Sequence, residues 1–542
     1  MKPDKTETKV QAEVVPVDSD HEQQVDHGTP SAPPKETEIP LRIKLIAVIL
    51  VSLIGFGSHW SSGVTGAMKS TIKKVQLLPR TVQLHNLRLH TCTYTPLQKL
   101  HINNAQYAVL EASEDFMKTA LILVSGLVTD RIGGANALLY GNAVYSLGAI
   151  LIAAAATVRS YRFMIGGVII QALGDIATQV AQYKVFSSWF APSNGFASTL
   201  GLELGLGKIG GFVGKATANI IAKRTGDFSW VYWCAVFMNL FTNVSTLVFW
   251  WFTRWSHRTY APSADPATGE ALTESNKKFE WGKMLRLPWS FWLVAAFTLF
   301  QTSTASVFTQ NATELAQQRF NVTAETAGWY SAMSQYLGFF LVPLLGVFID
   351  VLGHRVSIMA VCGACMLLSM ILAAWGPTVR GTAASFGVYA FASSLGPTVI
   401  IDSIRTTMWY QEVFGSGYAI KNAINNAMNI IIRIITGVIQ DRDNNSYDRV
   451  VVVYVFLSVG SVAVAIVLLV WSQFDVILGR LQWTRKQRLA RGHLINERKD
   501  QFEQDENAER NRRVSLCCFG ATICLILGAW VAYFWGVATG NN

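Results

Sequence analysis

Read from its N-terminus, the chain stays polar for about forty residues and then alternates long apolar runs with short polar breaks almost to its end. Runs of ~20 residues or more, the length that crosses a ~30 Å hydrocarbon core, fall at 43–64, 105–128, 136–157, 163–188, 196–221 and 230–252. A second set follows at 289–310, 326–349, 356–376, 382–408, 417–439 and 450–474, and one more run, 514–537, stands apart behind a charged stretch. Backbone this apolar can satisfy its hydrogen bonds in lipid by forming helices. The pattern therefore predicts an all-α membrane protein: a 6+6 helix bundle with an additional C-terminal membrane helix. In order, it predicts a disordered cytoplasmic tail (1–40), a first bundle (41–253), a cytoplasmic connector (254–287), a second bundle (288–474), a charged cytoplasmic segment (475–513) and a thirteenth membrane helix (514–537). The first run has no small-residue cleavage site and is expected to be a retained signal anchor.

Composition agrees: 51% of residues are hydrophobic and only 15% charged. The net charge of +10 sits largely in the connector (Arg254, Arg258, Lys277, Lys278, Lys283, Arg286) and after the twelfth run (Arg480, Arg485, Lys486, Arg488, Arg491). Positive charge in cytoplasmic loops is the membrane-protein pattern. Nucleic acid is not an expected partner, because no basic stripe is interleaved with exposed aromatics. Cys362 and Cys365 lie in an apolar run without a His or second Cys pair, so no metal is expected. No phosphate loop, nucleophile elbow or cofactor motif appears, so the chain reads as neither an enzyme nor a cofactor protein.

With the N-terminus in the cytoplasm, the loop 311–325 falls outside and holds two sequons, Asn311-Ala-Thr313 and Asn321-Val-Thr323, which are expected glycosylation sites. The loop 440–449, with Asn444, falls on the same side. The loop 65–104 fits this scheme poorly, since it would put Lys69, Lys73, Lys74, Arg80, Arg88 and Lys99 outside. Residues 75–98 within it have no periodicity, and read either as a long external loop or as an insertion in the gene model.

A short phrase occurs twice in register. Gly126-Leu-Val-Thr-Asp130-Arg-Ile-Gly133 ends the second run, and Gly346-Val-Phe-Ile-Asp350-Val-Leu-Gly353-His-Arg355 ends the eighth, 220 residues later. At the same offset Trp189-Phe190 matches Trp409-Tyr410 and Gly195 matches Gly415. Two homologous halves of this size are a transporter architecture. Gly126, Asp130, Gly133, Gly346, Asp350, Gly353 and Arg355 then read as a conformational latch at cytoplasmic helix ends.

Ionisable residues at membrane depth cost at least ~2.5 kcal/mol each on insertion scales, so they default to functional or paired positions. Glu111, Glu114, Asp115 and Lys118 share one face of the second helix. The fourth helix carries Asp175, Gln179 and Gln182, then Lys184, which is out of phase with Asp175. The fifth has close-packing glycine pairs at 201/205, 207/211 and 210/214, and around them Glu203 and Lys208; Lys208 is expected to neutralise Asp175 or Glu203 or to hold an anionic substrate group. On the tenth helix Asp402 and Arg405 are expected to pair. On the eleventh, Tyr418, Lys421, Asn422, Asn425, Asn426, Asn429 and Arg433 form a polar stripe fit to line water.

These features together resemble the major facilitator superfamily, over about residues 41–474. Within it, Val180-Ala-Gln182 leading to Ser188-Trp189-Phe190, and Leu200-Gly-Leu-Glu-Leu204 leading to Lys208-Ile-Gly210, resemble the lysosomal dipeptide transporters. The resemblance implies alternating access and transport of a small zwitterion such as a dipeptide. Its site would include an acidic residue on helix 4, here Asp175, and a cation on helix 5, here Lys208. The residues themselves nominate Asp175, Lys208, Asn425, Asn429 and Arg433 for substrate, and Glu111, Asp115 and Asp175 for a coupling proton. A small organic-anion porter and a transport-dead membrane sensor remain open. The partners expected are a small-molecule substrate and membrane lipid, with an accessory membrane subunit as a further candidate. A lysosomal or vacuolar membrane is expected, with the plasma membrane as the alternative.

Overall fold

The computed structural model describes residues 39–72, 102–261, 263–272 and 281–540. The chain divides into a short unit, Met1–Glu36, and one unit, Thr37–Asn542, to which everything below refers. The expected tail and residues 75–98 lie outside the described residues, apart from Ile39 and Pro40 at the tail's end.

Among the described residues, thirteen long helices occupy the thirteen predicted runs. Helix α1 has two segments, Leu41–Ile54 and Phe56–Ile72, separated at Gly55. Then come α2 (Asn104–Ile132), α3 (Gly134–Val158), α4 (Tyr161–Trp189), α5 (Phe196–Thr225) and α6 (Ser229–Thr259). The second set is α7 (Trp289–Phe320), α8 (Ala324–Leu352), α9 (Arg355–Trp375), α10 (Val379–Thr407), α11 (Phe414–Arg442) and α12 (Asp448–Trp471), followed by α13 (Asp505–Gly540). Polar caps start several of them: Asn103 forms a capping box with Gln106, and Ser160, Thr323 and Thr378 accept the N–H three residues on.

Eleven of these helices are long and apolar enough to cross a membrane among the described residues. The exceptions, α2 and α5, carry Glu111, Glu114, Asp115 and Lys118, and Glu203, Lys208 and Lys215. Each packs closely on a helix of the other half, α2 against α11 and α5 against α8. By contrast Phe237, Leu240, Val244 and Trp251 of α6, and Met333, Phe340 and Leu344 of α8, are exposed on the outside, where a bilayer would cover them.

The repeated phrase is explained residue by residue. Its last glycine makes the tight turn into the next helix: Gly133 has φ 87° and Gly353 φ 72°, values that a side chain would strain. Its first glycine lets a helix of the other half approach. A Cβ on Gly126 would lie 2.9 Å from the Ala419 Cβ, and one on Gly346 would lie 2.4 Å from the Ala197 carbonyl oxygen. The glycine pairs of α5 divide the same way. Gly201 and Gly205 pack on Val342 and Pro343 of α8, while Gly207, Gly210 and Gly214 pack on His59, Phe56 and Trp60 of α1.

One sequence expectation changes here. Helix α1 continues through Lys69, which is buried rather than in an external loop. The segment after α12 is folded, with short helices Val476–Gly479, Arg485–Ala490 and Gly492–Glu503. It adheres to the turn before α9, where the backbone N–H of Arg355 donates to Leu481 at 3.1 Å.

Helix α13 runs the length of the bundle. Phe519 meets Trp292 at the start of α7, while Tyr533 stacks on Phe116 at 4.5 Å and reaches Ser113 Oγ at 2.9 Å. It lies along α2 and α11 and thus touches both halves.

Candidate functional site

Helices α1, α2, α3, α4 and α5 from the first half and α7, α10 and α11 from the second line a central cavity of about 410 Å³. That falls within the ~300–1,000 Å³ usual for small-molecule sites. The first half supplies four carboxylates, Glu114, Asp115, Asp175 and Glu203; the second supplies Lys421, Arg433 and the asparagines 422, 425, 426 and 429.

Most of this charge is already paired. Lys118 holds Asp175 at 2.5 Å and Glu114 at 2.6 Å, and Gln179 donates to Asp175 at 2.9 Å. Arg433 crosses from α11 to α2, reaching Glu111 and Asp115 at 2.8 Å each, and also contacts Gln310. Glu203 is held more loosely, by His59 at 3.5 Å and the Tyr183 hydroxyl at 3.5 Å. Lys421 meets neutral oxygens: Asn422 Oδ1 at 3.2 Å and, with its amide in the satisfied orientation, Asn425 at 3.1 Å. It also sits over the Tyr418 ring. No carboxylate among the described residues pairs with Lys421.

Asp175, Asp115, Asn425, Asn429 and Arg433 all line this cavity, as their sequence positions suggested. Lys208 does not. It lines an adjoining compartment of about 190 Å³ with Lys215, and the two spaces share His59, Ser62, Leu204, Gln310 and Pro397. Lys208 therefore pairs with neither Asp175, which Lys118 holds, nor Glu203, which His59 and Tyr183 contact. Its stem lies against Gly338 of α8, where a Cβ would come within 3.1 Å of it, and no described residue forms an ion pair or hydrogen bond with it. Glu111 lies behind the cavity wall as the partner of Arg433. The expected Asp402–Arg405 pair is absent: Asp402 contacts Arg355, which also donates to Ser193 at 3.0 Å. Three residues on one helix turn gave the two charges proximity, but Arg355 on α9 reaches the carboxylate first.

Contacts between the halves bracket the cavity at both ends. On the connector side Asp130 accepts from the Ser416 backbone N–H at 3.1 Å and hydroxyl at 2.8 Å, and pairs with Lys184 at 3.0 Å. Lys184 also donates to the Glu412 carbonyl at 2.7 Å. Asp350 likewise accepts from the Ser198 backbone N–H at 2.7 Å and hydroxyl at 2.5 Å. Each carboxylate thus caps the positive end of a helix from the other half. On the opposite side Lys69 enters a polar nest, reaching Glu314 at 3.2 Å, Asn311 at 2.6 Å, Gln440 at 3.1 Å and Tyr447 at 3.0 Å. There Asp441 of α11 accepts from Asn104 at 2.7 Å and from the Ala105 N–H at 2.9 Å, capping α2. The antiparallel pair α2–α11 is therefore capped reciprocally at its two ends. The two halves are thus tied together at both ends of the cavity.

Asn311 needs correction as a glycosylation site. It lies inside α7, 7% exposed, donating to Tyr454 at 2.8 Å while accepting from Lys69. A side chain bonded on both sides offers no acceptor. Asn321 caps the end of α7 with φ 51° and is exposed.

A model of the Major Facilitator Superfamily matches residues 51–420. The chain belongs to that superfamily. It is a multi-pass membrane transporter. No curated protein matches it in sequence. Among solved structures it is similar to the human organic anion transporter MFSD10 (TETRAN), with TM-score 0.54, 12% identity, and coverage of 79% of this chain and 99% of that one. It is also similar to the E. coli fucose:proton symporter FucP, with TM-score 0.53, 13% identity, and coverage of 82% and 99%. At such identities the likeness is one of fold.

Several site residues escaped the sequence reading. Lys118 and Glu203 were visible as intramembrane charges, but their partners were not. His59, Tyr183 and Gln310 gave no signal, since a lone His, Tyr or Gln in an apolar run is ordinarily a packing residue.

Proposed function

We propose that this transporter carries a small zwitterion of the dipeptide class by alternating access. One observation supports the reading above others: the cavity joins a loosely held carboxylate from one half to an unpaired ammonium from the other. Glu203 touches Tyr183, Tyr183 meets Tyr418 at 4.8 Å between ring centres, and Lys421 lies over Tyr418. A substrate lying along the two tyrosines would give its carboxylate to Lys421 and its ammonium to Glu203. Asn425, Asn429 and Gln179 would meet the peptide group, and Asn429 Oδ1 is buried without a partner. Binding a charge pair whose ends complete two existing half-pairs offsets the desolvation cost that an isolated buried charge carries. Lys208, at the end of the adjoining compartment, extends the carboxylate pole.

Coupling to protons would go through Glu111, Asp115 or Asp175. Loss of any of these charges frees Lys118 or Arg433, which hold the two halves and α2–α4 together. The Asp130 and Asp350 contacts act as latches. Lysosomal or vacuolar residence follows from the family resemblance, and Asn321 is the proposed glycan acceptor.

The adjoining compartment favours a second reading. It holds Lys208 and Lys215 and no carboxylate, which suits a small organic anion. Binding of a dipeptide and of its N-acetylated form to the purified protein separates the two. The zwitterion reading expects N-acetylation to abolish binding, whereas tolerance of the acetyl group would favour an anion porter.

A further inference from the structure

A second built pocket lies outside the transport path. It has a volume of about 190 Å³ and sits on the connector side, between the end of α10, the connector and the segment after α12. Its charged walls are Arg405, Arg480, Arg488 and Lys499, with Asp265 and Glu270. Four cations thus face two carboxylates.

Those carboxylates are largely engaged. Asp265 takes Arg488 at 2.6 Å and the Ala267 N–H at 2.9 Å, while Glu270 accepts the Gln411 N–H at 3.0 Å. Arg405, 3% exposed, makes no hydrogen bond to any described residue, and its nearest carboxylate oxygen, on Glu270, is 3.9 Å away. Arg480 donates to the Thr407 carbonyl at 2.5 Å and stacks on Trp409 at 3.9 Å, but its Nε is buried without an acceptor. Burial, with Arg488 and Arg405 beside it, pushes the Arg480 pKa down to about 9. Buried guanidinium groups without acceptors are costly, and the group that matches several guanidinium forks at once is a phosphate.

We propose that this pocket binds a phosphate-bearing anion and that its occupancy stabilises the closed state of the connector side. The pocket is small enough for a phosphate or pyrophosphate group, whether from a soluble anion or a lipid headgroup. Its walls come from both halves. Pro192, in the link between α4 and α5, completes it from the first half, and Arg485 of the post-α12 segment donates to Asn194 in the same link at 2.7 Å. An anion neutralising Arg405 and Arg480 would tie that link, the connector and the second half together just beneath the Asp130 and Asp350 caps.

The test titrates the full-length purified protein with sodium pyrophosphate at constant ionic strength, against Arg405→Gln and the more exposed Lys499→Gln. A second arm compares nanodiscs of phosphatidylcholine alone with nanodiscs containing phosphatidylinositol 4-phosphate, reading the melting temperature. Saturable pyrophosphate binding that weakens at least tenfold in Arg405→Gln and severalfold in Lys499→Gln supports a soluble anion. Stabilisation by the phosphoinositide that both variants lose supports a headgroup. Equal responses of wild type and both variants to both probes, or no response of wild type to either, overturns the proposal.

Discussion

Asp130, on the last turn of α2, accepts from both the backbone N–H and the hydroxyl of Ser416 at the first turn of α11. A carboxylate of the first half therefore caps a helix of the second, and Asp350 returns the arrangement to Ser198. The two caps differ in one respect that can be measured. Asp130 also neutralises Lys184, which is 1% exposed, whereas Asp350 has no lysine against it.

Replacing either cap should slow cycling with little change in substrate affinity. Asp130 is fifteen residues beyond Asp115, about 22 Å along the helix axis at ~1.5 Å per residue. Asp350→Asn should cost about 1 kcal/mol of closure, the usual value of a cap. Asp130→Asn should cost more, approaching the ~3–5 kcal/mol of a broken buried pair, because Lys184 loses its counter-charge. Turnover and substrate affinity measured separately check this; a large affinity loss at unchanged turnover contradicts it.

On the opposite side, Lys69 of the first half enters the nest of Asn311, Glu314, Gln440 and Tyr447. Lys69→Met removes these contacts between the halves and should shift the protein toward opening on that side. Accessibility of a cysteine placed in the central cavity to a membrane-impermeant reagent should rise. Unchanged accessibility would remove Lys69 from the gate.

Glycine at 346 permits the α5–α8 contact, since a Cβ there would stand 2.4 Å from the Ala197 oxygen and 3.0 Å from the Ser198 Cα. Gly346→Val should separate these helices and weaken the Asp350 cap, lowering transport at least tenfold while membrane delivery persists. Near-wild-type rates would mean the approach is not required for cycling.

How far these features could be read from sequence depends on whether each was local. The thirteen helices lie on the thirteen apolar runs, and the repeated phrase marked two helix ends because its turn glycines act locally, whereas the partners of Asp130 and Asp350 lie on helices of the other half. Partners across helices were another matter. Nothing in the spacing of α2 says that Glu111 and Asp115 await Arg433, more than 300 residues on. Likewise Asp402 was assigned to its helical neighbour Arg405, while the fold gave it Arg355. Asn311 looked like a loop acceptor because its polar surroundings ended the apolar run, yet α7 continues to Phe320 with those polar groups turned toward Lys69 and Tyr454. Lys208 was singled out as an intramembrane cation, for pairing with Asp175 or Glu203 or for an anionic substrate group, but sequence gave no means of telling two adjoining compartments apart.

Helix α13 should cross the membrane. Its start meets α7 beside Trp292 and its far end meets α2 at Ser113 and Phe116. An epitope tag after Asn542 should be accessible from the side opposite the connector, and accessibility from the connector side would contradict the placement.

The most direct test of the account is uptake of a labelled dipeptide into vesicles containing only the purified protein, with and without a pH gradient, beside Lys421→Ala and Glu203→Gln. Saturable wild-type uptake, reduced at least tenfold in both variants, is predicted. Uptake that survives both substitutions, or no uptake of any dipeptide by a protein that still binds one, would contradict a zwitterion held between Glu203 and Lys421.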